Sequence, residues 1–370
     1  VKYVRRIAGV LAVMILTTLL IYHFYPPFGG KSLEESQRKI RESPQFVDGK
    51  FHNSIPTSLK YSLKESVEGI VLTLKGTPNS RPKNHLPIVP FDAKAFEENP
   101  EDQVIWFGHS TLLLKVNGVK LLLDPVFGNY ASPVAYVGPK RYSDKLPAEI
   151  EDLPELDAVI ISHDHYDHLD YGSIRKLRGK VKQFIVPLGV SGHLIKWGVA
   201  GDRIQELDWW EEFSYKGLTV ASTPARHFSG RRGLDEGSTL WSSWVIVGET
   251  SRIYYSGDSG YGPHFQEIGN KYGPFDLTLI ETGQYDQRWE AIHMTPEQSV
   301  QANLDVQGKR MMPVHWAAFT LALHSWNDPI ERAAQAAAQQ GVALATPKIG
   351  ETVLIHAMEY PDSSWWEDID

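Results

Sequence analysis

Apolar and polar positions sort into short runs along most of the chain. From Gln103 onward the runs are those of strands: VIWFG, STLLLKV and VKLLLDP, with Asn117-Gly118 between the last two as a type I′ hairpin turn. Further strand patterns recur as AVIIS (158–162), QFIVP (183–187), LTVASTP (218–224), WVIVG (244–248), RIYYSG (252–257), LTLIE (277–281) and KRMMPVH (309–315). Helical spacing occupies Gly172–Leu177, Thr295–Asp305 and Pro329–Gln340. The first and third of these separate strands, as in a layered domain of helices and sheets.

The amino-terminal part breaks this pattern. Residues 1–25 begin with Lys2, Arg5 and Arg6, run uncharged from Ile7 to Tyr22, and end in His23, Phe24 and Tyr25 before Pro26-Pro27. As a helix the uncharged run spans roughly 24 Å, near the ~27–30 Å hydrocarbon thickness of a bilayer. The pattern predicts an uncleaved single-pass transmembrane helix, with its aromatic end at the interface. Its basic end points to the cytoplasm, which places the rest of the chain on the outer, periplasmic side of a bacterial inner membrane. Residues 26–101 mix a charged helical patch, Ser32 to Arg41, with Pro- and Asn-rich stretches, and read as a linker and irregular wrap. A single layered domain is expected over residues 102–358, followed by a Trp-rich tail over 359–370.

Composition then narrows the chemistry. The chain carries 37 Lys and Arg against 45 Asp and Glu, a net charge of −8, with the basic residues scattered. Nucleic acid is therefore not an expected partner, because backbone phosphates need a basic stripe. The absence of cysteine removes disulfides, thiolate metal sites and cysteine nucleophiles together. Any metal must be held by His, Asp and Glu.

Four strands end in such residues. AVIIS runs into His163, Asp164, His165, Asp167 and His168; LTVASTPAR into His227; RIYYSG into Asp258; and KRMMPV into His315. Ligands of layered sheets collect at the carboxyl ends of strands, where loops converge on one cleft. In an extended segment His163 and His165 point to the same side and can share one ion with His227. Asp167 and His168, beyond the turn at Tyr166, face a second ion with His315. Asp258 has two oxygens and can bridge both. The expectation is a dinuclear site, with zinc suited to imidazole and carboxylate donors.

Weaker candidates lie nearby. Tyr166, Tyr285, Arg288, Trp316 and His324 are expected to wall the cleft, by proximity alone. His109 either supports a ligand or is a hydrogen-bonded structural histidine, and His293 precedes a Pro-started helix as a cap contact.

His163-Asp164-His165-Tyr166-Asp167-His168, followed by His227, Asp258 and His315, resembles the signature of the metallo-β-lactamase superfamily. The resemblance implies an α+β fold, the αββα four-layer sandwich, from about Asp102 to Met358. SPVAYVGPKRY (132–142), ISHDHYDHLDY (161–171), ELDWWEE (206–212), LWSSWVIVG (240–248), SGDSGY (256–261), GPFDL (273–277) and PVHWAAFTLA (313–322) are similar to the phospholipases D that hydrolyse N-acyl-phosphatidylethanolamine, and to their bacterial relatives. Phe51-His52-Asn53 and Pro56 extend the likeness. It implies two zinc ions held by the same seven residues, a membrane phospholipid substrate, and catalytic roles for Asp167 and Asp258. The amino-terminal helix and Glu281-Thr282-Gly283-Gln284-Tyr285 depart from the family pattern, which leaves the substrate more open than the chemistry. The rivals are a lactonase or other hydrolase of a small soluble substrate, and a membrane-tethered binding protein with a dead site.

Overall fold

The computed structural model describes residues 2–57, 75–134 and 136–369. Residues 58–74 of the expected wrap lie outside the described residues.

The apolar runs become two seven-stranded sheets packed face to face. The first holds β3 (Gln103–Trp106), β4 (Leu112–Val116), β5 (Val119–Leu123), β6 (Leu156–Ile160), β7 (Val181–Pro187) and β8 (Ile204–Leu207), with β16 (Thr352–Leu354) beside β3. The second runs in chain order from β9 (Glu212–Tyr215) through β10 (Leu218–Thr223), β11 (Ser243–Val247), β12 (Arg252–Tyr255), β13 (Leu277–Glu281) and β14 (Arg310–Val314) to β15 (Ala343–Leu344). The turn between β4 and β5 is tight because Asn117 and Gly118 both take positive φ, 51° and 75°. That pins the register Val116↔Val119 through Leu112↔Leu123.

Period-two alternation sorts side chains between layers. Val104, Trp106, Leu112, Leu114, Leu121, Leu123 and Ile160 face inward and meet Val220, Trp244, Ile246, Ile253, Leu279 and Val314 of the second sheet. The alternate positions Ile105, Leu113, Leu122, Val159 and Ile161 face outward under Ile174, Leu177 and Leu194, from helices Tyr171–Leu177 and Ser191–Lys196. On the far side Val245, Tyr254, Ile280 and Met311 lie under Phe265, Ile268, Val300, Ala336 and Ala337, from helices His264–Tyr272, Pro296–Asp305 and Asp328–Gln340. The result is the four-layer order helix, sheet, sheet, helix. Each fully buried aliphatic or aromatic side chain contributes roughly 1.5–3 kcal/mol to holding the layers together.

The expected anchor is corrected. Residues Lys2–Phe24 do form a helix, but among the described residues no helix is long and apolar enough to cross a membrane. Lys2, Arg5 and Arg6 occupy its first turns, and the apolar part from Ile7 to Ile21 is only about 22 Å long at helical rise, short of a hydrocarbon core of ~30 Å. The single-pass topology and the periplasmic placement that depended on it fall with the anchor.

The wrap is more ordered than its composition suggested. Helix Glu34–Glu42 and the hairpin of β1 (Phe46–Val47) and β2 (Lys50–Phe51) dock on the domain, where Ile40 and Phe51 pack with Leu188, Trp209, Leu240 and Trp241. The tail docks too, with Trp365 stacked on Trp316 at 5.4 Å and Trp366 edge-on to the same ring.

Candidate metal centre

All the strands that carry the ligands end at one rim of the sandwich. His163, His165 and His227 bring one ring nitrogen each within 4.8 Å of one another, and so do the donor atoms of Asp167, His168 and His315 together with His109. Asp258 lies between the two groups. Its Oδ2 is 3.2 Å from His168 Nε2, 3.8 Å from His227 Nε2 and 3.9 Å from His163 Nε2, and its Oδ1 is 3.1 Å from His315 Nδ1. The structure thus brings together the seven residues expected from the strand ends, in the grouping expected of them.

Hydrogen bonds on the far side of each ring decide which nitrogen faces the centre. Asp124, at the end of β5, accepts from His168 Nδ1 at 2.7 Å and from the Tyr255 and Ser162 hydroxyls. His227 Nδ1 donates to the Ile292 carbonyl at 3.0 Å, and His163 Nδ1 pairs with Ser162 Oγ at 2.9 Å. Each of these rings is left with Nε2 toward the cluster, the arrangement by which a neighbouring acceptor fixes a metal-binding imidazole. His109 Nε2 holds Asp167 Oδ2 at 2.9 Å, and its ring packs 4.2 Å from that of His315. His109 thus positions one ligand and supports another.

The electrostatics agree with a metal site. Burial holds His163, His227 and His315 well below the usual imidazole range, so each is neutral with a lone pair to give. Burial opposes ionisation of Asp167 and Asp258, but the surrounding histidines, His168 foremost, outweigh it and keep both carboxyls well below the usual range. His168 Nε2 and Asp258 Oδ1 are buried with no hydrogen-bond partner among the described residues. Orphaned donor atoms of this kind, converging on shared space, are what metal ions satisfy. The residues fit.

The cleft over the cluster has a volume of about 260 Å³. Beyond the ligands it is lined by Phe228, Trp289, Ile292 and Leu321 on the apolar side, and by Gln284 and His293 on the polar side. Of the expected walls, Trp316 is in the core against Trp106 at 5.4 Å. Tyr166 donates its hydroxyl to the Arg231 carbonyl and lies under that guanidinium. Arg288 is forked onto Asp286 at 2.7 Å, and Tyr285 stacks with His324 at 4.6 Å under Arg332. None of the five lines the cleft; their chain neighbours Gln284, Trp289, His315 and Leu321 do. Proximity in sequence found the right loops but not the right side chains.

His293 proves more than a cap. Its Nδ1 is 3.0 Å from Glu281 Oε2, and Glu281 Oε1 accepts the backbone N–H groups of Ser259 and Met294. Burial raises the Glu281 carboxyl, whereas Glu281 raises the His293 imidazole against its own burial. Sequence reading also passed over Asp124, although Leu121-Leu122-Leu123-Asp124 ends a strand in the same way as the chosen ligands.

Residues 120–316 match the family described as the beta-lactamase superfamily domain. The chain belongs to the metallo-β-lactamase superfamily. It is 42% identical over 358 residues to an uncharacterized protein of Mycobacterium tuberculosis, a match covering 95% of each chain. It is also 37% identical over 250 residues to N-acyl-phosphatidylethanolamine-hydrolyzing phospholipase D 1 of Caenorhabditis elegans, covering 64% of this chain and 69% of that one. Among solved structures, the metallo hydrolase Igni18 of Ignicoccus hospitalis superimposes with a TM-score of 0.54 at 22% identity, over 68% of this chain and 97% of its own. As a member of this superfamily the protein is a metal-dependent hydrolase.

Proposed function

We propose that the protein is a dinuclear zinc phosphodiesterase of phospholipase D type, acting on N-acyl-phosphatidylethanolamine or a closely related phospholipid. The observation that carries this reading is Asp258, whose carboxylate stands between two three-residue donor groups and so suits a pair of ions sharing one bridging ligand. The name of the Caenorhabditis elegans relative supports the substrate class.

His163, His165 and His227 would hold one zinc, Asp167, His168 and His315 the other, and Asp258 both. When bound, such a pair activates water near neutral pH and offsets the charge that builds on phosphoryl oxygens. The protein's own groups then do the rest. Phe228, Trp289, Ile292 and Leu321 exclude water from one side of the phosphoryl group. His293, held through Nδ1 by Glu281, is left with Nε2–H for the cleft and serves as proton donor to the departing alkoxide oxygen. His109 keeps Asp167 from rotating away.

The test is a comparison of zinc-loaded protein on N-acyl-phosphatidylethanolamine in mixed micelles, a water-soluble phosphodiester and a lactone. Release of a phosphatidic acid and an N-acylethanolamine is expected. Turnover of the lactone alone would overturn the reading in favour of a hydrolase of small soluble substrates.

A further inference from the structure

Asp164 stands between the ligands His163 and His165 but belongs to neither donor group. Successive side chains of an extended segment point to opposite sides, and its buried carboxylate is occupied elsewhere. Oδ1 accepts from Gly230 N at 2.8 Å, and Oδ2 is 3.3 Å from His193 Nε2. His193 itself accepts from Gly30 N at Nδ1, at 3.1 Å. A neutral ring that accepts at Nδ1 carries its proton at Nε2, so His193 donates to Asp164 and links it to the segment that follows the amino-terminal helix.

That segment, residues 26–30, is a strap laid backbone to backbone on helix Ser191–Lys196. A Cβ on Gly29, whose φ is +73°, would stand 1.9 Å from His193 Nδ1, and one on Gly30 would stand 2.2 Å from the Gly192 carbonyl oxygen. Only glycine fits at either place. Side chains of the domain collect the strap's carbonyls. Trp197 Nε1 donates to that of Pro26 at 2.8 Å, Lys196 Nζ to that of Gly29 at 2.8 Å, and Arg232 to those of Phe28 and Gly29 at 3.1 and 2.7 Å.

Arg231 joins the strap to the metal loop. Its buried guanidinium donates through Nε and Nη2 to the Pro27 carbonyl, at 3.0 and 2.9 Å. Through Nη1 it donates to the carbonyls of Asp164 and Leu169, the latter at 2.9 Å, and it lies 4.1 Å over the Tyr166 ring. Asp164 and Leu169 bracket His165, Asp167 and His168. One planar fork therefore holds both ends of the stretch that supplies three ligands, and a lysine, with its single nitrogen, cannot reproduce that geometry.

We propose that Arg231 is a positioning residue that couples the strap 26–30 to the metal loop, with His193 as a second link. Seating of the strap raises zinc affinity, and zinc binding in return tightens the strap, because coupling between two sites is reciprocal. The proposal rests on the zinc reading of the cluster and not on the phosphodiester substrate.

The experiment uses the full chain. Zinc affinity is measured by competition with a chromophoric chelator, well below each variant's thermal midpoint, and amide exchange over residues 28–32 is followed by mass spectrometry with and without zinc. Arg231→Met is expected to weaken zinc at least tenfold, and Arg231→Lys, which keeps the charge and loses the fork, at least fivefold. Arg232→Met combined with Lys196→Met removes three hydrogen bonds to the strap's carbonyls and none to the metal loop. That pair is expected to weaken zinc at least threefold alone, and less than twofold in the Arg231→Lys background, where only His193 still joins strap to loop. Zinc should slow exchange over residues 28–32 at least threefold in the wild type and far less in Arg231→Lys. If neither Arg231 variant folds, the strap pair and the wild-type exchange carry the test. A merely structural role would lower the thermal midpoint without moving either readout. Unchanged zinc affinity in the folded variants, a strap effect of equal size with and without Arg231, or exchange indifferent to zinc would overturn the coupling. A wild type that takes up no zinc would sink the metal reading and the proposal together, whereas zinc coupling without hydrolysis of a phosphodiester would uphold the proposal and sink the substrate reading alone.

Discussion

Asp258 and His109 show how differently two buried polar residues of one site can matter. Asp258 reaches both donor groups, whereas His109 acts through Asp167 and His315. Removing a partner of a ligand costs roughly 10–100-fold in metal affinity or activity. His109→Ala is expected in that range, and Asp258→Asn at least about a hundredfold beyond it; steady-state rates with zinc content measured on the same samples check the order. A second prediction concerns His264, buried beside Ser259, with its Nε2 3.0 Å from the Ser259 hydroxyl oxygen. Burial pushes the imidazole down to about 3. Because the folded value is below the unfolded one near 6.5, the unfolded chain takes up a proton that the folded protein refuses. Stability is therefore complete above pH ~6.5 and falls by about 1.4 kcal/mol per unit as pH drops toward 3. His264→Gln, which keeps a hydrogen-bonding group beside Ser259, should flatten that part of the curve in urea titrations at pH 7, 6 and 5; an identical slope in the variant would show that His264 does not carry it. The seven clustered residues were legible as candidates in the sequence because they stand at or just beyond the ends of apolar runs. The cleft walls were not, because turns decide them: Gln284 takes a positive φ of 66° and Tyr285 is turned onto His324.

At the scale of elements, the centre depends on contacts between pieces far apart in sequence. The segment after β2 is tied to the His227 loop by Asn53 and by Arg226, which donates to Thr57 Oγ1 at 3.0 Å and to the Pro56 carbonyl at 3.3 Å, and Asn53→Ala deletes three hydrogen bonds at once, two of them to the backbone of His227. Zinc affinity is expected to fall on the order of tenfold or more, read by competition with a chromophoric chelator, while far-ultraviolet circular dichroism stays that of the folded chain. Strand positions were recovered well where the runs were long and apolar, as for Leu277–Glu281. The short strands β8, β9, β15 and β16 escaped because they are edge or near-edge strands with mixed composition, whose pairing comes from a neighbour and not from their own pattern. Helix His264–Tyr272 escaped for a related reason, since its first residues are a Pro-preceded turn without a side-chain cap. The amino-terminal helix was legible as a helix and misread as an anchor, because periodicity reports helix formation while spanning depends on uninterrupted apolar length.

The whole molecule is two sheets whose shared rim carries a dense set of buried carboxylates and imidazoles. Without cations that rim holds Asp167 and Asp258 ionised in a space where His168 Nε2 and Asp258 Oδ1 lack hydrogen-bond partners among the described residues. Metal binding should therefore stabilise the folded state by mass action, and stripping with a chelator should lower the thermal midpoint by on the order of 10 °C. Restoring zinc should bring it back; a midpoint indifferent to metal would mean the cluster is self-sufficient. The strand and helix patterns gave a layered domain and the family resemblance gave its four-layer order, but neither gave the closure of the first sheet. There β16 pairs with β3 as Thr352↔Ile105, and Trp365 and Trp366 cover Trp316. This closure has a consequence for biosynthesis. A ribosome adding roughly 5–20 residues per second delivers β3 first and its edge partner about 250 residues later, so the nascent sheet stays open on that side for on the order of ten to fifty seconds. During that interval β3 presents an unpaired apolar edge of the kind that recruits chaperones or other chains, and ribosome-arrested chains stopping before residue 350 should be cleaved by protease where chains carried through residue 369 resist.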